Sequence, residues 1–146
     1  QDERMVNIER CNLRYLTEQQ VPEKLDLAVM DVSFISIRLI LPVIRPFLKE
    51  NADYICLIKP QFEAGREQVG KKGIVRDPAV HASVIRACLD AAAEDGYAVQ
   101  GLDWSPIRGA DGNIEFLCHL RNTESAEHTP DSLITAVVEA AHGGQP

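Results

Sequence analysis

The fold is decided by residues 25–60, which read LDLAVMDVSFISIRLILPVIRPFLKENADYICLIKP. Two apolar runs, Leu25–Met30 and Asp53–Ile58, have the continuity expected of strands that are buried on both faces. Between them, apolar residues recur at helical spacing over Ile37–Leu48, and Pro42 inside that pattern indicates a kink or the true first turn. The order strand, helix, strand predicts a parallel β-α-β unit.

The alternation continues beyond this unit. Asp77-Pro78 predicts a helix start, with a capping carboxylate and a proline in the first turn, and Gly96 predicts its end. Two further strands, Tyr97–Ser105 and Asn113–Arg121, are joined by a short connection that favours direct antiparallel pairing. A last helix is predicted to begin at Thr129-Pro130 and to end near Gly143. We therefore expect an α/β fold with a mostly parallel sheet and an antiparallel C-terminal hairpin at one edge.

Composition restricts the class of protein. The chain has 146 residues, 45% of them apolar and 25% charged, which is typical of a single globular domain. No apolar run approaches the ~20 residues of a membrane span, and the first residues do not resemble a signal peptide. The four cysteines are too far apart in the sequence for a C-x-x-C motif, so we expect free buried thiols and a cytoplasmic location.

Charge is distributed unevenly along the chain. The net charge is −7, yet residues 59–76 carry +3 and the remainder −10. A basic segment on an acidic body favours a local anionic partner, and a solvated surface loop explains it about equally well. The basic residues of the segment are Lys59, Arg66, Lys71, Lys72 and Arg76.

The same segment nearly matches a nucleotide phosphate loop. Its pattern is Gly65-x-x-x-x-Gly70-Lys71-Lys72, whereas the phosphate loop ends in Ser or Thr, whose hydroxyl binds magnesium. The segment also does not lead directly into a helix. We therefore do not expect a nucleotide phosphate loop here.

Three charged residues are candidates for chemistry. Asp31 and Lys59 each follow a predicted parallel strand, and catalytic groups in such sheets lie at the carboxyl ends of strands. Position alone leaves the alternatives of a helix-capping Asp31 and a solvated Lys59 open. Glu115 lies among apolar strand residues, so it is either exposed on one face or buried with a partner. A lysine between two carboxylates in one cleft is a plausible proton-handling site.

Several exact sequence motifs identify a family, which hydrophobic and charge patterns alone do not do. Residues 5–121 closely resemble the TlyA-type haemolysin family, whose members are FtsJ-like ribosomal RNA 2′-O-methyltransferases that use S-adenosylmethionine. The resemblance is carried by DVSFIS (31–36), LIKPQFEAG (57–65), GIVRDP (73–78) with His81, SPI (105–107) and GNIEFL (112–117).

This resemblance implies a partial Rossmann-like methyltransferase fold. Residues 1–122 would form the C-terminal part of the methyltransferase domain, and residues 123–146 a polar linker with a C-terminal helix. The family's catalytic set is Lys-Asp-Lys-Glu, in which Asp31, Lys59 and Glu115 match the last three members. The first Lys, the Gly-rich cofactor loop and the family's S4-type RNA-binding domain would lie upstream of this chain.

The resemblance also implies a mechanism and partners. A methyl group would pass from the sulfonium of the cofactor to a ribose 2′-oxygen, with no metal required. Lys59 would accept the hydroxyl proton or steer the oxyanion, Asp31 would orient Lys59 and favour the positive cofactor, and Glu115 would complete the polar network. The partner would be ribosomal RNA or a ribosomal subunit, contacted by Arg66, Lys71, Lys72 and Arg76.

Two other functions are weaker expectations. The name haemolysin suggests membrane lysis, but the sequence offers neither an amphipathic basic helix nor a span. A non-catalytic structural fragment is the other alternative, and we expect the isolated chain to be inactive without the upstream elements. The family strand order would also leave the Leu25–Met30 edge open. A homodimer would cover that edge, or a strand at Arg4–Glu9 would fold into the vacant position.

Overall fold

The computed structural model describes residues 25–31, 36–70, 73–108, 112–124 and 128–143, so the predicted strand at Arg4–Glu9 lies outside the described residues. The four strands are β1 (Leu25–Met30), β2 (Leu48–Ile58), β3 (Ala98–Trp104) and β4 (Phe116–Arg121). The four α-helices are α1 (Ile37–Ile44), α2 (Pro60–Glu63), α3 (Pro78–Glu94) and α4 (Asp131–Gly143). Short 3₁₀ turns lie at Arg45–Phe47 and Arg66–Gln68.

The described strands form one sheet in the order β1-β2-β4-β3. The predicted parallel pair and the predicted hairpin are both confirmed: β1 and β2 are parallel, and β3 and β4 are antiparallel. Because β4 also pairs antiparallel with β2, two of the three described pairings are antiparallel. Over its described strands the sheet is therefore mixed rather than mostly parallel. Two of these four strands belong to the β3–β4 hairpin, whose pairings are antiparallel.

The helices begin and end where local chemistry predicts. Asp77 caps α3, its Oδ1 accepting a hydrogen bond from the Ala79 N–H at 2.9 Å. Gly96 follows the end of α3 with φ of +91°, a conformation that favours glycine. Pro42 lies inside α1, which ends after only eight residues and continues as a 3₁₀ turn.

Strand β2 begins five residues earlier than predicted. Its first half, Leu48–Ala52, includes the polar residues Lys49, Glu50 and Asn51, which hid it from a search for apolar runs. Asn51 has a φ of +63°, and the register against β1 shifts between Leu25 and Leu27. This irregularity is a bulge, which hydrophobic periodicity does not reveal.

One face of the sheet carries the core. Alternate residues of β2 and β4 are buried and pack with helical residues in a single hydrophobic cluster. The helical spacing of six apolar residues after Asp77-Pro78 predicts the buried stripe of α3, and all six are buried: Val80, Val84, Ile85, Cys88, Leu89 and Ala92. On the other face of β1, Leu27 and Val29 are 51% and 61% exposed, so the prediction that Leu25–Met30 is buried on both faces is wrong for the described residues.

The described cysteines are buried free thiols, as predicted. Cys56, Cys88 and Cys118 lie in the core without disulfides, and Cys11 lies outside the described residues. Burial raises the pKa of the Cys88 thiol far above its usual range. A thiol held protonated in this way is a poor nucleophile, so Cys88 contributes packing rather than chemistry.

The edge of β1 predicts self-association of the isolated chain. Within the described residues β1 pairs with β2 alone, and an open apolar edge strand is a template for another chain. We expect light scattering at tens of micromolar to give a mass above that of one chain. A monomer in which hydrogen exchange protects both sides of Leu25–Met30 would instead show that a strand of the same chain covers this edge.

Candidate active site

Asp31 and Lys59 meet at the carboxyl ends of adjacent parallel strands. Asp31 directly follows β1 and Lys59 directly follows β2, and the register pairs Met30 with Cys56. Lys59 Nζ forms an ion pair with Asp31 Oδ1. The Lys59 side chain is 11% exposed, whereas that of Asp31 is 63% exposed. The pair therefore presents an accessible carboxylate in front of a buried ammonium group.

The two alternative interpretations of these residues are wrong in this structure. The cap of α1 is Ser36, whose Oγ accepts from the Arg38 N–H at 3.1 Å, so Asp31 is not the capping residue. Lys59 is buried and paired rather than solvated.

Glu115 is buried at the same end of the sheet. It lies immediately before β4, rather than inside it, and is only 6% exposed. The antiparallel register pairs Ile58 with Phe116, so one further residue sets Lys59 opposite Glu115. Residues opposite each other in an antiparallel pair place their side chains on the same face. The structure thus brings Asp31, Lys59 and Glu115 together at one end of the sheet.

Gln61 is a site residue that sequence reasoning missed. Its Nε2 donates to Glu115 Oε2 at 2.9 Å, so an amide partners this buried carboxylate. Its Oε1 is buried and has no hydrogen-bond partner among the described residues. A spare buried acceptor is costly unless a ligand or water satisfies it. Gln61 is part of the LIKPQFEAG motif, but the motif alone does not reveal that contact.

Glu63 is the second residue that sequence reasoning missed. Its side chain is 2% exposed and accepts from Ser36 Oγ at 2.6 Å and from the Ile37 N–H at 2.7 Å. Arg38 Nε donates to the same carboxylate at 3.3 Å. A carboxylate at a helix N-terminus satisfies donors that have no partner within the helix. Glu63 therefore fastens the segment that follows Lys59 to the start of α1.

The basic segment is partly described. Lys71, Lys72 and the side chain of Arg66 lie outside the described part of the chain. Arg76 is exposed, beyond a turn in which the Gly70 N–H donates to Ile74 O at 2.8 Å. The buried Asn113 amide holds this turn, because its Oδ1 accepts from the Val75 N–H and its Nδ2 donates to Gly73 O.

A pair of hydrogen-bonded histidines, His81 and His142, contacts this turn. His81 is fully buried, with Nε2 at 2.9 Å from Val75 O and Nδ1 at 2.8 Å from His142 Nε2. The carbonyl can only accept, so His81 carries its proton on Nε2 and accepts at Nδ1 from the Nε2–H of His142. Burial lowers the pKa of both imidazoles.

These histidines predict that stability falls in mild acid. Each folded-state pKa lies below the ordinary value of 6.5, so the unfolded chain binds more protons below that pH. Their contribution is complete above about pH 6.5 and is lost on acidification, at up to about 1.4 kcal/mol per pH unit for the buried His81. Urea unfolding at several pH values measures this slope. His81→Gln should flatten the slope while the exposed His128→Gln retains it, and equal slopes in all three proteins would contradict the assignment.

Comparison with known proteins gives the chain its family. A family model described as FtsJ-like methyltransferase matches residues 1–122. A Bacillus subtilis protein, YqxC, named provisionally as an rRNA methyltransferase, is 52% identical over 97% of this chain and 52% of its own length. The 16S/23S rRNA (cytidine-2′-O)-methyltransferase TlyA of Mycobacterium tuberculosis is 38% identical over 98% of this chain and 53% of its own length.

A solved structure agrees with the sequence relatives. A protein of Streptococcus thermophilus, provisionally called a hemolysin, superposes with a TM-score of 0.88 at 43% identity, over 98% of this chain and 52% of its own. The chain thus spans about half the length of these relatives. The match over residues 1–122 and the shared fold show that the chain belongs to the FtsJ-like methyltransferase family.

Proposed function

We propose that the full-length protein methylates a ribose 2′-oxygen of ribosomal RNA with S-adenosylmethionine as the methyl donor. The observation that carries this proposal is the Lys59–Asp31 ion pair at the carboxyl ends of β1 and β2, with Glu115 buried beside it. The relatives named above supply the substrate class. Because the chain spans about half their length, the activity is proposed for the full-length protein rather than for these residues alone.

The donor set suits a positively charged methyl donor. The Asp31 carboxylate is 63% exposed, so it can approach a cationic ligand while it remains paired with Lys59. The unpartnered Gln61 Oε1 offers a second acceptor at the same end of the sheet. When bound, the cofactor supplies a methyl group on a positively charged sulfur. Asp31 is thus the proposed cofactor contact.

Lys59 is the proposed proton acceptor. A ribose hydroxyl is a poor nucleophile at neutral pH, so its proton must leave as the oxygen attacks. Lys59 is buried, and its Nζ lies against the Asp31 carboxylate. As a neutral amine, Lys59 would take the hydroxyl proton while the ribose oxygen bonds to the methyl carbon and the bond from that carbon to sulfur breaks. Asp31 and Glu115 orient the amine.

The basic segment is the proposed RNA contact. Residues 59–76 carry a net +3 on a chain of net −7, so this part of the surface would attract RNA. The proposed phosphate contacts are Arg66, Lys71, Lys72 and Arg76. Such contacts release counterions, which makes binding depend on salt.

Charge reversal in this segment tests that contact. The double variant Lys71→Glu/Lys72→Glu should bind RNA more than about tenfold more weakly at ~0.1 M salt. The slope of log affinity against log salt should become shallower by about 0.7 for each phosphate that the variant no longer neutralises. Lys49→Glu, at the opposite end of β2, is the control. An unchanged slope would make the segment a solvated surface loop.

We place this activity in the cytoplasm, where ribosomal RNA is made and used in bacteria such as those of the relatives. Among the described residues, no helix is both long and apolar enough to cross a membrane.

Cofactor titration tests the proposal as a whole. The full-length protein should bind S-adenosylmethionine in calorimetry, and Asp31→Asn should weaken that binding. We expect the isolated 146-residue chain not to bind, because the resemblance assigns the Gly-rich cofactor loop to sequence upstream of it. A full-length protein that binds no cofactor would contradict the methyltransferase assignment and favour a structural role.

A further inference from the structure

A second basic cluster lines a pocket beside the proposed active site. The pocket measures about 380 Å³ and lies between the turn before α3, the β3–β4 connection and the end of α4. Three basic side chains line it, the guanidinium groups of Arg76 and Arg108 and the imidazole of His142, and each comes from a different one of these segments. Arg108 and His142 lie outside both the motif matches and the basic segment at residues 59–76.

We propose that this pocket binds a phosphate group of the RNA substrate, in an inference that rests on the proposed function. Two guanidinium groups and an imidazole around one cavity suit an anion with several acceptor oxygens. Arg76 belongs to both the pocket and the basic segment, so the pocket extends the positive surface already proposed to contact RNA.

The walls of the pocket are held in place before any ligand arrives. Asn113 fixes the turn at Gly73 and Val75, and Arg108 Nη1 donates to Gly112 O at 2.9 Å. His81 accepts from His142 while it donates to Val75 O, so the buried imidazole ties the end of α4 to the same turn. Because these contacts already order the turn, Arg108 and His142, these parts of the site lose little conformational entropy on binding.

The position of the pocket connects it to the site of methyl transfer. Ile114 lines the pocket, and the next residue in the chain is the buried Glu115. Both precede β4, whose first residue pairs with the last residue of β2. A phosphate held by Arg76 and Arg108 would therefore lie at the same end of the sheet as Lys59, where a strand of RNA can occupy both sites.

His142 makes the affinity of the pocket depend on pH. Among the described residues, the charged and titratable groups around it are Arg108, Arg76, His81 and Asp77, from the β3–β4 connection, the turn and α3. Burial and the Arg108 guanidinium lower the pKa of His142, and Asp77 opposes them. His142 can take a proton on Nδ1 and still donate from Nε2, whereas a protonated His81 would keep its bond only if His142 moved its own proton to Nδ1. A bound phosphate favours the protonated His142, so binding should strengthen as pH falls.

Binding of single-stranded oligouridylate to the full-length protein tests the pocket. Arg108→Gln should weaken binding about tenfold and reduce the salt slope by about 0.7, as expected when one phosphate is no longer neutralised. Arg76→Gln should have the same two effects. Arg108→Gln also removes the hydrogen bond to Gly112 O, so an equal loss in both variants shows that the effect comes from the missing charge. Lys49→Gln removes the same charge at the other end of β2 and should change neither property by as much.

The pH dependence provides the second measurement. Wild-type affinity for oligouridylate should be several-fold higher at pH 6 than at pH 8, and His142→Gln should remove most of that difference. Inorganic phosphate is tested in parallel by histidine NMR. A contrary result would be that phosphate raises the pKa of His142 while oligouridylate affinity is unchanged in Arg108→Gln, Arg76→Gln and His142→Gln. In that case the pocket binds free phosphate and the RNA assignment is wrong.

The outcomes separate the pocket from the proposed function. If the wild-type protein transfers methyl groups to RNA but Arg108→Gln and Arg76→Gln keep full affinity and salt slope, the pocket proposal fails and the function stands. If both variants lose RNA affinity and the wild-type protein transfers no methyl group, the phosphate-pocket proposal is supported and the proposed methyltransferase function is wrong.

Discussion

Replacing Lys59 with alanine in the full-length protein is expected to lower kcat for methyl transfer by about 10³-fold or more. General-base catalysis contributes ~10²–10⁴-fold, and Lys59 is the buried amine at the proposed site. Cofactor affinity should remain within a few-fold, because the exposed Asp31 carboxylate is the proposed cofactor contact. A fall in kcat with binding retained is the signature of an interaction made in the transition state.

A second substitution distinguishes the two roles open to Lys59. Lys59→Arg keeps the positive charge that could steer an oxyanion, but a guanidinium does not give up its proton in proteins. The proposal of a proton acceptor predicts that Lys59→Arg is as inactive as Lys59→Ala. Lys49→Ala is the matched control, since its ion pair with Asp26 is exposed at the other end of β2. Wild-type turnover in Lys59→Ala would remove the residue from the mechanism.

Replacing Glu63 with alanine is expected to cost about 2–4 kcal/mol in the free energy of unfolding. Its carboxylate accepts from Ser36 Oγ, the Ile37 N–H and Arg38 Nε in a nearly water-free position. Its removal leaves the start of α1 without these acceptors. Lys59 lies four residues before Glu63, so activity should also fall at temperatures where the protein remains folded.

Urea unfolding measures this cost. Glu139→Ala removes the same side chain from an exposed position on α4 and should change stability by less than about 0.5 kcal/mol. Equal stability of the Glu63 and Glu139 variants would show that the Glu63 hydrogen bonds contribute nothing.

The secondary-structure elements that the sequence predicted best are those whose start and end are determined by residues within or next to the element itself. Strand Leu25–Met30 and helix α3 match the predictions because a continuous apolar run, a capping Asp77 and a terminal Gly96 act within their own segments. The hairpin followed from the shortness of its connection. The proximity of Asp31 and Lys59 was predictable from one topological rule, because the carboxyl ends of neighbouring parallel strands lie at the same edge of the sheet.

Contacts between distant segments could not be predicted in the same way. Glu63 contacts Ser36 across 27 positions, and Gln61 contacts Glu115 across 54, and neither pairing leaves a periodic pattern in the sequence. His142 meets His81 across 61 positions for the same reason. The start of β2 was missed because the polar residues of its bulge interrupt the apolar run. Each of these features depends on tertiary packing, which single-sequence patterns do not contain.

Transfer of a labelled methyl group tests the central claim most directly. The full-length protein is incubated with ribosomal RNA and S-adenosylmethionine that carries an isotopic label on its methyl group, and the RNA is digested to nucleosides. We predict that the label appears in a nucleoside methylated on the ribose 2′-oxygen, and that Lys59→Ala slows its appearance by about 10³-fold or more. Label on a base, or no label in RNA with active cofactor and intact ribosomal RNA, would contradict the account.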